Sequence, residues 1–157
     1  MVLRSSLLLS SLLLNSDSNI RGLEQTDEML LSKILESEAN TSNVFKYLEL
    51  GIYPVRFEII KRKIIFLQYI LQQNESSMVS MVFKATCENP LQKDFVNTCK
   101  SYLEQIKIDL SFEQIRQMSL YKFKKLVKQK TQEAAFEYLI KKKNGQTKIQ
   151  VQYSTAS

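Results

Sequence analysis

Apolar residues recur at three- and four-residue intervals along most of this chain, and short polar stretches interrupt them. That repeat predicts amphipathic helices. From Leu23 to Ser37 the apolar positions are 23, 30, 31, 34 and 35, with Glu24, Asp27 and Glu28 in the first turns, where the helix dipole favours acids. Residues 39–42 read as a linker. Thr41 or Ser42 then caps a helix through Val44, Tyr47 and Leu48, which Gly51 stops at its C′ position. Pro54 opens a helix from about Val55 to Gln73 whose middle, Ile59 to Leu67, is apolar on most sides, so it is expected at the centre of the fold. Ser76 or Ser77 caps a helix with Met78, Val79, Met81, Val82 and Phe83, and Asn89-Pro90 ends it. Phe95 to Ile106 forms another. Ser111-Phe-Glu-Gln114 reads as a capping box for a short helix carrying Ile115 and Met118. Ser119 caps the last, with Leu120, Phe123, Leu126, Val127, Ala134, Ala135, Tyr138 and Leu139 inward and Asn144-Gly145 at its end. Residues 147–153 alternate like a strand but have no second strand to pair with. The expectation is an all-α, compact bundle of six to eight short helices, with residues 1–143 as a single helical domain and 144–157 as a disordered, flexible tail.

The first residues admit two readings. Arg4 followed by a serine-interrupted run of leucines to Leu14 has the layout of a signal peptide. Leucines at 3, 7, 8, 12 and 14 equally suit a core helix, and those at 9 and 13 blur its face. The stretch is too short and serine-rich to span a bilayer. Periodicity does not decide between the two, and an intracellular protein of cytoplasm or nucleus is the expectation.

Composition narrows the chemistry more than the fold. The chain has 157 residues, 44% of them hydrophobic and 24% charged, so it is long enough to bury a sizeable core and is no disordered tail. Three glycines and two prolines leave little material for the turns of a many-stranded sandwich. There is no histidine, which excludes Ser-His-Asp and Cys-His nucleophile systems and any His-ligated metal. No glycine-rich phosphate loop and no Asp-Asp or Asp-x-Asp pair for two metal ions is present. Asp27, Asp94 and Asp109 read as caps or first-turn acids. Cys87 and Cys99 are two ligands short of a structural zinc site and are expected as two buried free thiols. No catalytic residue, cofactor or metal is expected, and no polymerase or nuclease activity.

Charge supplies the one functional signal. The net charge is +6, and nine lysines against two glutamates between Ser119 and Lys148 exceed that total, so the rest of the chain sums to −1. Lys122, Lys125 and Lys128, with Lys124 beside them, recur at helical spacing around Phe123, Leu126 and Val127. Those apolar residues would anchor one side of a helix and leave a lysine ridge on the other. Such a ridge can follow an RNA or DNA backbone without reading bases, and the lack of nearby arginine argues against base-specific contacts. Arg56, Lys61, Arg62 and Lys63 form a second, smaller basic cluster. The bland reading of both is a solvated helix face.

The order of several stretches carries a resemblance. These are Ser11-Leu-Leu-Leu-Asn15-Ser-Asp17, Asp27-Glu-Met-Leu-Leu-Ser-Lys-Ile-Leu35 and Tyr47-Leu-Glu-Leu-Gly51-Ile-Tyr-Pro54-Val-Arg56-Phe57. Downstream come Ile64-Ile-Phe-Leu-Gln-Tyr-Ile-Leu71, Asn89-Pro-Leu-Gln-Lys-Asp94-Phe95, Met118-Ser-Leu-Tyr-Lys-Phe-Lys-Lys-Leu-Val127 and Ala134-Ala-Phe-Glu-Tyr-Leu139. Together, over residues 5–142, they resemble the region that follows the polymerase domain in LINE-like (non-LTR) retrotransposon reverse transcriptases. The chain departs from that pattern in lacking the polymerase core with its paired carboxylates, and in a shortened polar segment from Asn15 to Gly22. The resemblance implies a non-catalytic fragment of a mobile-element protein whose helical module helps hold template RNA or target DNA. A helical protein-interaction module, an inert domesticated fragment and a small secreted helical protein are the alternatives.

Overall fold

Helical periodicity is realised along nearly all of the chain that a computed structural model describes, namely residues 17–37, 41–89 and 95–155, with side chains from 19 to 145 within those limits. The protein is all-α. Among the described residues there are seven helices and no strand: α1 (Asp17–Ile34), α2 (Asn43–Leu50), α3 (Val55–Leu71), α4 (Met78–Glu88), α5 (Phe95–Gln105), α6 (Phe112–Gln117) and α7 (Leu120–Thr155).

The short helices end where their polar residues stop them. Gly51 takes a left-handed φ of 61°, and the Gly51 and Ile52 amides donate to the carbonyls of Leu48 and Tyr47. This is a Schellman stop, which satisfies two carbonyls the helix leaves open, and a side chain at 51 would strain it. The Ser77 hydroxyl accepts from the Ser80 amide at 3.2 Å. Ser111 and Gln114 form the reciprocal capping box, at 3.2 and 2.8 Å.

α3 is the central helix. It buries Val55, Phe57, Ile59, Ile60, Ile64, Leu67 and Ile70, and packs against α7, α1, α5, α6 and α4. Each such side chain contributes about 1.5–3 kcal/mol on leaving water. One continuous core joins Phe57, Ile60, Ile64 and Leu67 to Cys99, Leu103, Ile106, Ile115, Phe123, Val127 and Ala135. The α3–α7 pair is antiparallel: Gln68 meets the residues just before α7, while Arg56 meets Tyr138.

The structure differs from the sequence reading in four places. α1 begins at Asp17 rather than near Leu23, and its inward face runs through Ile20, Asp27 and Leu31, leaving Ile34 exposed. Starting a helix six residues earlier brings Ile20 onto Val55 and Ile59. α4 turns Ser80 and half-buried Phe83 inward and leaves Met78, Met81 and Val82 outside. Cys87 therefore lies exposed at its end, and of the two free thiols Cys99 alone is buried. Leu120, expected inward, is exposed. Finally α7 continues past Asn144-Gly145 to Thr155, because Gly145 keeps a helical φ instead of the left-handed one that ends α2. The N-terminal leucine stretch and Asp94 lie outside the described residues. No helix among the described residues is long and apolar enough to cross a membrane.

Candidate nucleic-acid interface

The N-terminal half of α7 is positioned from below by α3. The Gln68 side-chain amide donates to the carbonyls of Ile115 and Met118, at 3.1 and 2.9 Å. The Gln72 amide donates to Arg116 and Met118, both at 3.2 Å. These are carbonyls that the end of α6 leaves without helical partners, so two glutamines on α3 satisfy them and hold the turn into α7. Phe123 and Val127, both 0% exposed, then fix the rotation of α7 about its own axis.

With that rotation set, Lys122, Lys124, Lys125 and Lys128 all point to solvent. None of the four makes an ion pair among the described residues. Two other lysines of α7 differ. Lys130 pairs with Glu133 at 3.1 Å, and the ammonium of Lys142 lies 5.4 Å over the Tyr138 ring. Across the helix, Lys107 holds Glu137 at 2.9 Å and keeps that carboxyl below the usual glutamate range.

The second basic cluster is dissolved by the fold. Lys63 is 1% exposed, with its ammonium 5.8 Å over the Tyr102 ring, and cannot meet a phosphate. Burial pushes its pKa below the ordinary lysine value, against an opposing influence of Cys99. Arg56 grips Glu24 with two hydrogen bonds, at 2.5 and 2.7 Å, and stacks over Tyr138. Lys61 and Arg62 share Glu58, at 2.5 and 3.3 Å. Burial would raise the Glu58 pKa, yet the two donors together outweigh it and lower the carboxyl's pKa. Arg56 and Gln68 stand about 18 Å apart along α3, so Arg56 is far from the start of the ridge.

A buried polar group at the α1–α2 contact escaped the sequence reading. Asp27, assigned above to a first turn, is buried mid-helix and accepts from the Tyr47 hydroxyl at 3.3 Å. Burial, together with Asp27, Glu28 and Glu24, drives the Tyr47 hydroxyl far above its usual pKa. Lys46, also buried, donates to Ser32 at 2.7 Å and to Asn43 at 3.1 Å. The signal was available: Ile20, Glu24, Asp27 and Leu31 fall on one helical face once the helix starts at Asp17. These groups satisfy one another and read as structural. Among the described residues, no group of three or more Cys, Asp or Glu is arranged to hold a metal ion. An open groove of about 750 Å³ between α5 and the segment leading into α6 is walled by Leu103, Ile108, Leu110 and Phe112 together with Lys100, Glu104 and Asp109.

No protein-family model, curated protein or solved structure matches this chain.

Proposed function

We propose that this chain is a non-catalytic helical module that binds nucleic-acid backbones weakly and without sequence preference, and that it derives from a retrotransposon reverse-transcriptase-like protein. The derivation rests on the ordered resemblance over residues 5–142. The observation that carries the binding is the set of four outward, unpaired lysines on a helix whose other side is anchored at Phe123 and Val127. Because the ridge is already solvated and positioned, phosphates engage it with little rearrangement, and each contact releases a condensed counterion. Lysine heads act as point charges, which suits backbone contact without base discrimination.

Fluorescence anisotropy with a labelled RNA oligonucleotide across a salt series tests this. The expected dissociation constant near physiological salt is roughly 10⁻⁴–10⁻⁶ M, the non-specific range. Replacing Lys122, Lys124, Lys125 and Lys128 together by glutamine should flatten the logarithmic salt slope by up to about 3 on a single strand. An unchanged slope and affinity would falsify the assignment.

A second reading, a helical protein-interaction module, has its own support in the outward apolar face of α4, where Met78 is 77% exposed beside Met81 and Val82. Binding through that face would be indifferent to salt and to the four lysine substitutions.

A further inference from the structure

We infer that the α7 ridge takes single-stranded rather than duplex nucleic acid, with Tyr121 as a platform on which an unpaired base stacks. This rests on the nucleic-acid reading and names its substrate class. Tyr121 is 76% exposed, the most exposed aromatic side chain among the described residues. Among the other exposed rings, Phe66 and Tyr69 stack on each other with centroids 6.0 Å apart, and Phe66 also meets Phe95. Phe45 stands on α2, and Phe136 lies about 12 Å beyond Lys128 along α7, outside the ridge. Tyr121 has no ring contact and no hydrogen bond among the described residues.

Its place in the helix gives the exposure meaning. Residues 121, 125 and 128 follow one another at four- and three-residue steps, so the ring and two of the unpaired lysines form one stripe, with Lys124 on its flank. Along the axis the steps rise about 6 Å and then about 4.5 Å. A strand laid on this stripe meets positive charge and an aromatic face within two turns of helix. A duplex offers the lysines its phosphates, but its base faces are stacked inside and leave the tyrosine idle. A single strand offers both, and stacking tolerates any sequence because every base has a π-face.

The same charges and ring would also suit an anionic membrane surface. Insertion there needs apolar side chains on the binding side. On this helix Phe123 and Val127 are turned fully into the core, and Leu120 is the one large aliphatic side chain exposed beside the ridge. Phe136 and Ile140 lie two turns or more beyond Lys128, which leaves little apolar surface for insertion and favours the nucleic acid.

The test uses the full chain, a fluorescein-labelled oligo(U) 15-mer and a labelled duplex of the same length, in anisotropy titrations at several salt concentrations. The parent should bind the single strand at least fivefold more tightly than the duplex. Tyr121→Ala should lose roughly tenfold for the single strand, at the modest end of base–aromatic stacking, with the salt slope and duplex affinity unchanged. Tyr121→Phe should restore the parent's binding. A 2-aminopurine placed in the strand should report stacking through an emission change that Tyr121→Ala abolishes, while circular dichroism shows the helices intact. Equal affinity for both forms, or single-strand binding indifferent to Tyr121→Ala but sensitive to the four lysines, overturns this inference and leaves the backbone-binding reading standing. Failure to bind either nucleic acid, or tighter binding to phosphatidylserine vesicles than to the strand, overturns both.

Discussion

Two basic clusters lie in this chain, one in the first half of α3 and one opening α7, and the fold treats them in opposite ways. At the start of α3, Arg56 reaches Glu24 on α1, Lys61 and Arg62 share Glu58 one turn away, and Lys63 faces the interior against Tyr102. At the start of α7 the helix carries no carboxylate before Glu133, and the four lysines remain in solvent. The difference lies in what surrounds each helix. α3 is covered on most sides, so its cations are either paired or buried. α7 lies at the edge of the bundle, with one buried stripe and a free outer face. Positive charge in a sequence therefore marks a binding surface only where the fold has left it unanswered.

A graded series of substitutions breaks or sharpens that contrast. The largest effect is expected from Phe123→Ala, which empties a fully buried site beneath the ridge. It should cost about 3–5 kcal/mol through a core cavity, seen as a lower urea midpoint. The four-lysine glutamine variant should keep the parent's midpoint, since solvated charges contribute little to stability.

Next comes the Arg56–Glu24 pair. Alanine at either position should cost about 1–2 kcal/mol, between the limits for exposed and buried pairs. The double variant should cost less than the sum of the singles. Strict additivity in that cycle would mean that Arg56 is not absorbed by α1 after all.

Glu58 gives a smaller effect with a definite sign. Its folded-state pKa lies below the ordinary 4.5, so the clasp with Lys61 and Arg62 stabilises the fold above that value. The contribution is lost as pH falls from 4.5 through the folded-state pKa. Urea midpoints measured through this window should fall more steeply for the parent than for Glu58→Gln. Parallel curves would contradict the shared clasp.

The smallest effect is on binding. Lys61→Gln with Arg62→Gln should change RNA affinity by about twofold or less, because Glu58 already answers both cations. A drop comparable to that of the ridge variant would return the α3 cluster to the interface.

Local rules account for much of what was legible in the sequence. The Gly51 stop, the Ser77 cap, the Ser111–Gln114 box and the central place of α3 each depend on residues within one or two turns of one another. So does the outward direction of Lys122, Lys125 and Lys128, which follows from Phe123 and Val127 on the opposite side of the same helix. Helix type, caps and the apolar stripe of a helix are short-range properties, and the amino-acid order carries them directly.

Tertiary structure decided the rest. Only packing determines which side of α4 finds a neighbour, and there the apolar side did not. Only the packing around α3 pairs or buries one of two clusters that look alike in sequence. Asp27 lies 20 residues from Tyr47, Arg56 lies 32 from Glu24, and Gln68 lies 50 from Met118. No helical repeat spans those distances. A charge is neutralised, buried or left free according to which distant side chains the fold brings to it, since the energy of each pair depends on separation and on access to water.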